Sequence, residues 1–274
     1  MNATTSKVSP VPLELSTDRD GNAAAFPAGR LWRAYLAEAR YESLRMLRAP
    51  GFSIPFLGLP VLLYLMFAVL IAGAATAKDP DLARFMFTGF AVFGIVGPGM
   101  FGFGVITATE REQGLLRLKR ALPMPMGAYV LAKVLMAMLF AAIIMTTMLA
   151  AGLTLGHLSL TAGQIAQLVA IGLLGSVPFC AMGLLIGTWA SARSSPAFVN
   201  LIYLPMLHLS GLFYPLPKSL RMLAPMWPTF HVRQLAFSVL GVAGQDEPLI
   251  HVAVLAGVTV LFGLIALRRL QRVG

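Results

Sequence analysis

A dense run of charge separates two apolar stretches in the segment TEREQGLLRLKRALPMP, residues 109–125. Glu110 and Glu112 flank Arg111, and three more basic residues follow within nine positions. Positive charge beside a membrane segment sets its orientation, but carboxylates contribute little to that rule. Topology alone therefore does not account for this segment, whose carboxylates could instead form ion pairs with another surface.

Other residues that could do chemistry are few. His208 is the ionisable side chain deep within an apolar run, whereas ion-coupled carriers need an intramembrane carboxylate or histidine relay. The sequence has neither a Gly-x-x-x-x-Gly-Lys-Ser/Thr loop nor a His-Glu-x-x-His metal motif. The lone Cys180 allows no disulfide within the chain. We therefore expect no catalytic site, metal or cofactor on this chain.

The composition indicates which kind of element positions the charged segment. Of the 274 residues, 58% are hydrophobic and only 12% are charged, and the mean hydropathy is +0.79. Soluble domains contain about 25% charged residues, so these values predict a multi-span membrane protein. The formal net charge of +10 is spread over short segments between apolar runs, which argues against nucleic-acid binding.

Six apolar segments approach the ~20 residues needed to cross the hydrocarbon core of a bilayer. We predict an all-α integral membrane protein whose six transmembrane helices are Phe52–Ala77, Phe85–Ala108, Gly127–Leu155, Gly163–Trp189, Pro196–Tyr214 and Leu249–Leu267. Four prolines interrupt the semi-apolar stretch 215–241 before the last of them. Two short re-entrant or interfacial helices are expected there.

The N-terminal region has two predicted parts. Residues 1–29 lack an apolar core and are rich in Pro, Ser, Thr and Ala, which indicates a disordered cytoplasmic tail rather than a signal peptide. Residues 31–48 place Trp32, Leu36 and Met46 on one helical face and arginines on the other. This pattern favours an interfacial helix on the membrane surface, with an amphipathic helix packed on protein as the alternative.

The distribution of lysine and arginine predicts the orientation of the chain. Outside the tail, the segments on the N-terminal side of the membrane hold fourteen of these residues and the segments on the other side hold five. Both termini are therefore expected in the cytoplasm of a multi-pass protein of the cell (inner) membrane. The charged segment 109–125 then also lies in the cytoplasm.

A helix over 110–122 would be short and amphipathic, with one apolar stripe about 120° wide. Leu116 would project from its polar face between charged neighbours, as a docking residue does, and Pro123 and Pro125 would end it. The alternative is a solvated loop without a special role. That alternative leaves the carboxylates, Leu116 and the abrupt proline stop unexplained.

Two blocks carry a resemblance to a known family. The segment TEREQGLLRLKRALPMP resembles the Glu-Arg-Glu-x-Gly-x-Leu…Leu…Pro signature between spans two and three of ABC-2 type transporter permeases. These are the membrane subunits of drug, lipid-linked and polysaccharide exporters. The segment LSGLFYPLPKSLRMLAPMWPTFHVRQLAFSVLG, 209–241, resembles the Ser-Gly-x-x-Phe/Tyr-Pro segment and re-entrant region of that family. The resemblance covers about residues 30–270, and we expect one transmembrane domain over 30–272.

The resemblance implies two sites. One is a coupling helix that contacts an ATPase subunit, and its residues are Glu110, Arg111, Glu112, Gly114 and Leu116. The other is the outer end of a substrate path, and its residues are Ser210, Gly211, Tyr214, Pro215 and Trp227.

The resemblance also implies partners. Since the chain has no nucleotide motif, ATP and Mg²⁺ would bind a separate cytoplasmic ABC ATPase, and two permeases would pair as a homodimer or heterodimer in membrane lipid. The expected function is export of a hydrophobic drug-like or lipid-linked substrate. A non-transporting membrane anchor of an ATPase complex is the main alternative, and an intramembrane enzyme lacks its catalytic residues.

Overall fold

The computed structural model describes residues 28–121, 126–242 and 247–273, and every regular element in these ranges is helical. The α-helices are α1 (Ala28–Leu47), α2 (Pro50–Tyr64), α3 (Gly73–Thr76), α4 (Pro80–Glu112), α5 (Leu115–Ala121), α6 (Met126–Thr154), α7 (Ala162–Gly175), α8 (Val177–Trp189), α9 (Ser195–Leu209), α10 (Pro228–Leu240) and α11 (Pro248–Val273). A π-helical stretch, Leu65–Ile71, extends α2, and a 3₁₀ helix, Arg221–Met226, precedes α10. The all-α prediction is confirmed for these ranges, whereas nearly all of the tail predicted over 1–29 lies outside them.

The described part of the chain contains five helical runs long and apolar enough to cross a membrane. They are Pro50–Ile71, Pro80–Glu112, Gly127–Thr154, Ala162–Trp189 and Pro248–Arg272. These runs correspond to five of the six predicted spans. The remaining predicted span, 196–214, contains α9, an apolar helix of 15 residues that extends only about 22 Å.

The central helix α4 has 33 residues and a length of about 50 Å, which exceeds the ~30 Å hydrocarbon core. Its start is fixed by Asp79, whose carboxylate accepts the N–H groups of Asp81 at 3.0 Å and Leu82 at 3.2 Å. Pro80 follows this cap, where its missing N–H leaves no unpaired donor. Because α4 is longer than the membrane is thick, its charged last turn can lie outside the hydrocarbon.

Most of α4 is buried, whereas α2 and α11 leave most of their surface exposed. The closest neighbour of α4 is α8, and glycines make this contact possible. A Cβ added to Gly183 would lie 2.7 Å from the carbonyl oxygen of Gly99, and one added to Gly187 would lie 2.7 Å from that of Phe103. The two backbones are therefore in direct contact, as small residues permit between membrane helices.

Contacts along α4 also give the direction of each neighbour. The order of the glycine contacts shows that α8 runs parallel to α4. In contrast, α6 runs antiparallel, because Tyr129 near its start bonds Thr107 whereas Gly152 near its end lies against Phe87. Contacts made by α2 and α9 show that these helices also run opposite to α4.

The ends of the bundle can be defined from these directions. Helix α11 runs parallel to α8, because Gly263 lies beside Ala181 and the Arg269 guanidinium covers the ring of Trp189. Helix α1, helix α5 and the C-terminal ends of α4, α8 and α11 consequently lie together, at what we call the α5 end. The segment 210–227 lies toward the opposite end.

Candidate functional site

The segment predicted as a coupling helix consists of a helix end, a turn and a second short helix. Helix α4 continues through Glu110 and Glu112, the chain turns at Gly114 with φ +73°, and α5 begins at Leu115. The prediction of one helix over 110–122 is therefore wrong. A glycine in the left-handed region ends α4 as a C-terminal cap, a conformation that side chains with a Cβ disfavour. Residues 122–125, with both prolines of the prediction, lie outside the described residues.

Glu110 lies inside a buried ion cluster. Its carboxylate accepts the Arg45 guanidinium at 2.5 Å and the Tyr129 hydroxyl at 2.7 Å, and it lies 3.3 Å from Lys133 Nζ. Lys133 also donates to Glu42 at 2.6 Å. We call these five residues the ion cluster; they come from α1, α4 and α6. Because the Glu110 side chain is only 4% exposed, any contribution it makes to a partner contact is indirect.

The ion cluster contains two cationic and two anionic side chains. Burial alone would lower the pKa of the Arg45 guanidinium, but Glu110 and Glu42 beside it raise that pKa above its ordinary value. The Tyr129 hydroxyl adds a 3.1 Å contact to Thr107 Oγ1. Buried charges are tolerated when they are paired and hydrogen-bonded, so the cluster fixes three helices relative to one another.

Arg111 and Glu112 connect the end of α4 to the α8–α9 connection. Arg111 donates to the carbonyl oxygens of Thr188 and Ala190, the latter at 2.7 Å. Carbonyl groups at the C-terminal end of a helix have no partner within that helix, so Arg111 supplies one. Glu112 is exposed and accepts the backbone N–H of Ala192 at 3.0 Å.

Helix α5 has one face inside the protein and one outside. Leu116 is 1% exposed and belongs to a core cluster with Tyr129, so the expectation that it projects from a polar face is wrong. Lys119 forms an ion pair with Glu38 of α1. The exposed residues of the turn and α5 form what we call the corner surface: Glu112, Gln113, Arg117 and Leu118.

The second predicted site lies toward the opposite end of the bundle. Ser210 is fully buried and donates to the Leu207 carbonyl at 3.3 Å, and Gly211 turns the chain with φ +72°. Tyr214 and Pro215 are exposed, whereas Trp227 is half-buried directly before α10. The structure therefore separates these residues into a buried turn, an exposed loop and a helix start, and does not gather them into one pocket.

Helix α10 returns from this loop into the bundle. A Cβ added to Gly175 would lie 3.0 Å from Val232 and 3.7 Å from Ile95, which places α10 level with the middle of α4. The Thr229 hydroxyl donates to the Met206 carbonyl at 3.2 Å. The expectation of two short helices before the last span is confirmed by the 3₁₀ helix and α10.

Arg233 of α10 makes further contacts in this region. It donates to the carbonyl oxygen of Gly211, and its guanidinium lies 5.1–5.9 Å from the ring centres of Phe85, Phe230 and Phe237. The spacing of residues 230, 233 and 237 on one helical face was a signal for this arrangement.

Comparison with known proteins identifies the family. The model of the family described as "ABC-2 type transporter" matches residues 33–234. The chain belongs to the ABC-2 type transporter family. A curated relative, "Putative transport permease YvfS" of Bacillus subtilis (strain 168), is 22% identical over 235 residues, which are 84% of this chain and 95% of the relative.

Membership of the ABC-2 family establishes the class of the protein. ABC-2 permeases are non-catalytic transmembrane subunits that work with ABC ATPase subunits. The chain is thus an integral membrane permease with multiple spans. The matched residues include most of α1, the ion cluster, the corner surface and the loop before α10.

The permease also has an apolar cavity of about 370 Å³ between α2, α4 and α9. Aromatic rings line it, including those of Phe56, Phe93, Tyr203 and Phe213, and His208 lies at its edge. Ligand pockets commonly occupy ~300–1,000 Å³ and are mainly apolar. The cavity is therefore suited to a hydrophobic molecule. Within the described residues, no three His, Cys, Asp or Glu side chains form a group that could hold a metal.

Proposed function

We propose that this permease is the membrane subunit of an ATP-driven exporter that moves a hydrophobic drug-like or lipid-linked substrate out of the cytoplasm. A separate ABC ATPase binds ATP and Mg²⁺ and supplies the energy. Two permease copies, identical or similar, form the path between them. The observation that carries this proposal is the corner surface, which is exposed at the end of the central helix and firmly attached to it.

Three sets of contacts attach the corner surface to the bundle. The Lys119–Glu38 pair connects α5 to α1, and the ion cluster connects α1, α4 and α6. Arg111 connects the end of α4 to α8. A force applied to the corner surface by closure of an ATPase dimer would therefore move α4 together with its neighbours. Such a rigid-body movement can reorient membrane helices between two states.

The proposed topology has six spans with both termini in the cytoplasm of the inner membrane. The short helix α9 is included because contacts of α9 and of the turn after it extend along α4, from Val199 beside Gly104 to Phe213 beside Phe90. From residue 90 to residue 104, α4 rises by roughly 20 Å. The chain after α9 completes the crossing. The counts of lysine and arginine support a cytoplasmic position for the α5 end.

In this proposed orientation, segment 210–227 lies at the outer side of the membrane. The aromatic cavity between α2, α4 and α9 supports a hydrophobic substrate, because its lining offers apolar contact. We propose that the buried turn at Ser210 and Gly211, with the loop containing Tyr214 and Pro215, shapes the outer end of the path. Trp227 would lie near its membrane boundary.

The test uses the permease reconstituted with its ATPase in proteoliposomes. Glu112→Lys reverses a charge of the corner surface, and Gly114→Val forces a Cβ into the left-handed region at a cost of about 1–2 kcal/mol. We expect both variants to insert normally but to lose most of the ATP-dependent movement of ethidium or an NBD-labelled phospholipid. Gly114→Asn should be milder, because asparagine tolerates this conformation.

Asp81→Lys is the matched control, because Asp81 is an exposed carboxylate at the opposite end of the same helix. It should transport like the unmodified permease. Normal transport by Glu112→Lys would contradict the coupling role of the corner surface. ATP hydrolysis without movement of any probe by the unmodified complex would instead favour a non-transporting anchor.

A further inference from the structure

Trp189, the last residue of α8, lies at the α5 end and is in contact with Arg269 of α11. Its ring is 64% exposed, and the Arg269 guanidinium lies over it with 3.9 Å between the guanidinium carbon and the ring centre. A cation–π contact of this kind restricts where the guanidinium can lie. Arg269 therefore presents its charge at a defined place on the surface, beside the exposed ring.

The same tryptophan lines an apolar groove between α8 and α9. The groove has a volume of about 360 Å³, and its walls are Leu185, Ile186, Trp189, Ala190, Phe198 and Ile202. Phe198 is 51% exposed, so the groove is open toward the surface of the bundle. Its volume is within the ~300–1,000 Å³ of ligand sites, and its walls suit a hydrocarbon chain.

Basic residues are concentrated at the α5 end, at which this groove lies. Arg268 and Arg272 accompany Arg269 at the end of α11, and Arg193 lies on the α8–α9 connection. Within the described ranges, none of these four arginines forms an ion pair. The nearby carboxylate of Glu112 accepts a backbone N–H from this connection instead.

A simpler explanation for the charges is the dipole of α11, since basic residues are favourable in the last turn of a helix. The dipole does not explain why Arg269 is stacked on a tryptophan of another helix. It also does not explain why its Nε is buried without a hydrogen-bond partner in the described structure. The stacking is consistent with a guanidinium held in place for an acceptor that belongs to a ligand, which would bond its Nη atoms because the buried Nε has no exposed surface.

We propose that Arg269 and the groove beside Trp189 bind an anionic phospholipid of the leaflet at the α5 end. One acyl chain would occupy the groove, and the phosphate would accept hydrogen bonds from Arg269 with support from Arg268 and Arg272. Guanidinium groups match phosphate oxygens well, and tryptophan is typical of the membrane–water boundary. Basic sites between membrane helices are suited to anionic headgroups. A lipid without net charge would bind less favourably beside these arginines, which form no ion pairs within the described ranges.

The inference does not depend on the export proposal, because it uses only the geometry of α8, α9 and α11. The Thr188 and Ala190 carbonyls that accept Arg111 adjoin Trp189 on both sides. A lipid seated on Trp189 would therefore stabilise the position of the α8 end to which α4 is attached.

Trp189 itself provides the measurement. The chain has three tryptophans, so Trp32→Phe and Trp227→Phe leave Trp189 as the single emitter. Its fluorescence is titrated in mixed micelles with phosphatidylglycerol or phosphatidylcholine that carry brominated acyl chains, which quench on contact. We expect phosphatidylglycerol to quench at an at least fivefold lower mole fraction. Arg269→Gln should reduce this preference by about fivefold, the equivalent of ~1 kcal/mol per basic side chain.

Arg40→Gln is the matched control, because Arg40 is an exposed basic residue of α1 at the same end of the bundle. It should keep the full preference. Ile202→Phe fills the groove and should weaken quenching by both lipids to a similar extent. Arg269→Lys keeps the charge but not the planar guanidinium, so it should lose part of the preference. It replaces Arg269→Gln in the comparison if that variant elutes as aggregate on size exclusion.

Three results would overturn the proposal. Equal quenching of the parent by the two lipids would remove the headgroup preference. An unchanged preference in a folded Arg269→Gln permease would show that this arginine is not the phosphate ligand. An equal reduction in Arg40→Gln and Arg269→Gln would show general attraction to the charged surface rather than a site.

Discussion

Replacing Lys133 by methionine is the sharpest test of the ion cluster. The Lys133 side chain is 1% exposed and lies 2.6 Å from Glu42 and 3.3 Å from Glu110. Its removal leaves two carboxylates, each only 4% exposed, facing Arg45 as their remaining cation. Breaking a buried ion pair from one side costs about 3–5 kcal/mol, because the remaining charge stays desolvated. We expect Lys133→Met to lower the free energy of unfolding by that amount.

The electrostatic origin of this loss can be separated from lost packing with a second substitution. Glu42→Gln combined with Lys133→Met restores one cation and one carboxylate, Arg45 and Glu110. The double variant should be about 1–3 kcal/mol more stable than the sum of the two single losses predicts. The assay is thermal unfolding of the purified permease in detergent. With ~2–4 °C per kcal/mol, Lys133→Met alone should lower the melting temperature by roughly 6–20 °C.

Lys119→Met provides the matched control at the same end of the protein. Lys119 and Glu38 are also paired, but their side chains are 21% and 19% exposed. Pairs nearer to solvent contribute only about 0–1 kcal/mol, so this variant should melt within about 4 °C of the parent. A loss for Lys133→Met no larger than for Lys119→Met would refute the reasoning. Additive losses in the double variant would show that charge balance is not the cause.

Two further predictions concern packing and the outer region. Gly187→Leu should separate α4 from α8 and reduce the monodisperse fraction after detergent extraction, whereas Gly257→Leu should not, because open space surrounds Gly257. Equal recovery of both variants would argue against the glycine contact. Arg233→Ala removes the bond to the Gly211 carbonyl and three aromatic contacts, and should cost about 2–4 kcal/mol in thermal unfolding. Arg84→Ala, at a more exposed pair near the same end, should cost less than about 1 kcal/mol, and a similar loss for both would contradict this role.

The spans were predictable because an apolar run of sufficient length dictates a membrane helix. Their ends were less so. The predicted second span, 85–108, lies inside α4, which begins at the Asp79 cap and continues through three charged residues. A hydropathy profile ends a span at the first charged residue. The helix itself continues for as long as its backbone hydrogen bonds continue. The reversal at Gly114 was readable as a helix stop, yet the apolar stripe downstream favoured one continuous helix.

The charged segment was located correctly, but its arrangement depends on partners far away in the chain. Glu110 is buried because Arg45, 65 residues earlier, and Lys133 of α6 surround it. Sequence spacing indicates that Glu42 and Arg45, three residues apart, share a helical face. It contains no information on which other helix that face meets. The distinction between buried Glu110 and exposed Glu112 therefore needed the packed structure.

The glycine contact between α4 and α8 has a consequence for biogenesis. Arg111 and its acceptor Thr188 are 77 residues apart, and ribosomes extend a chain at ~5–20 residues per second. The second span consequently waits on the order of 4–15 s before its closest partner is synthesised. During that interval the bare backbone face around Gly99 and Phe103 is covered only by lipid or by a transient helper protein. A ribosome that stalls before α8 would leave this face open, and quality-control proteases of the membrane could recognise the unfinished permease by it.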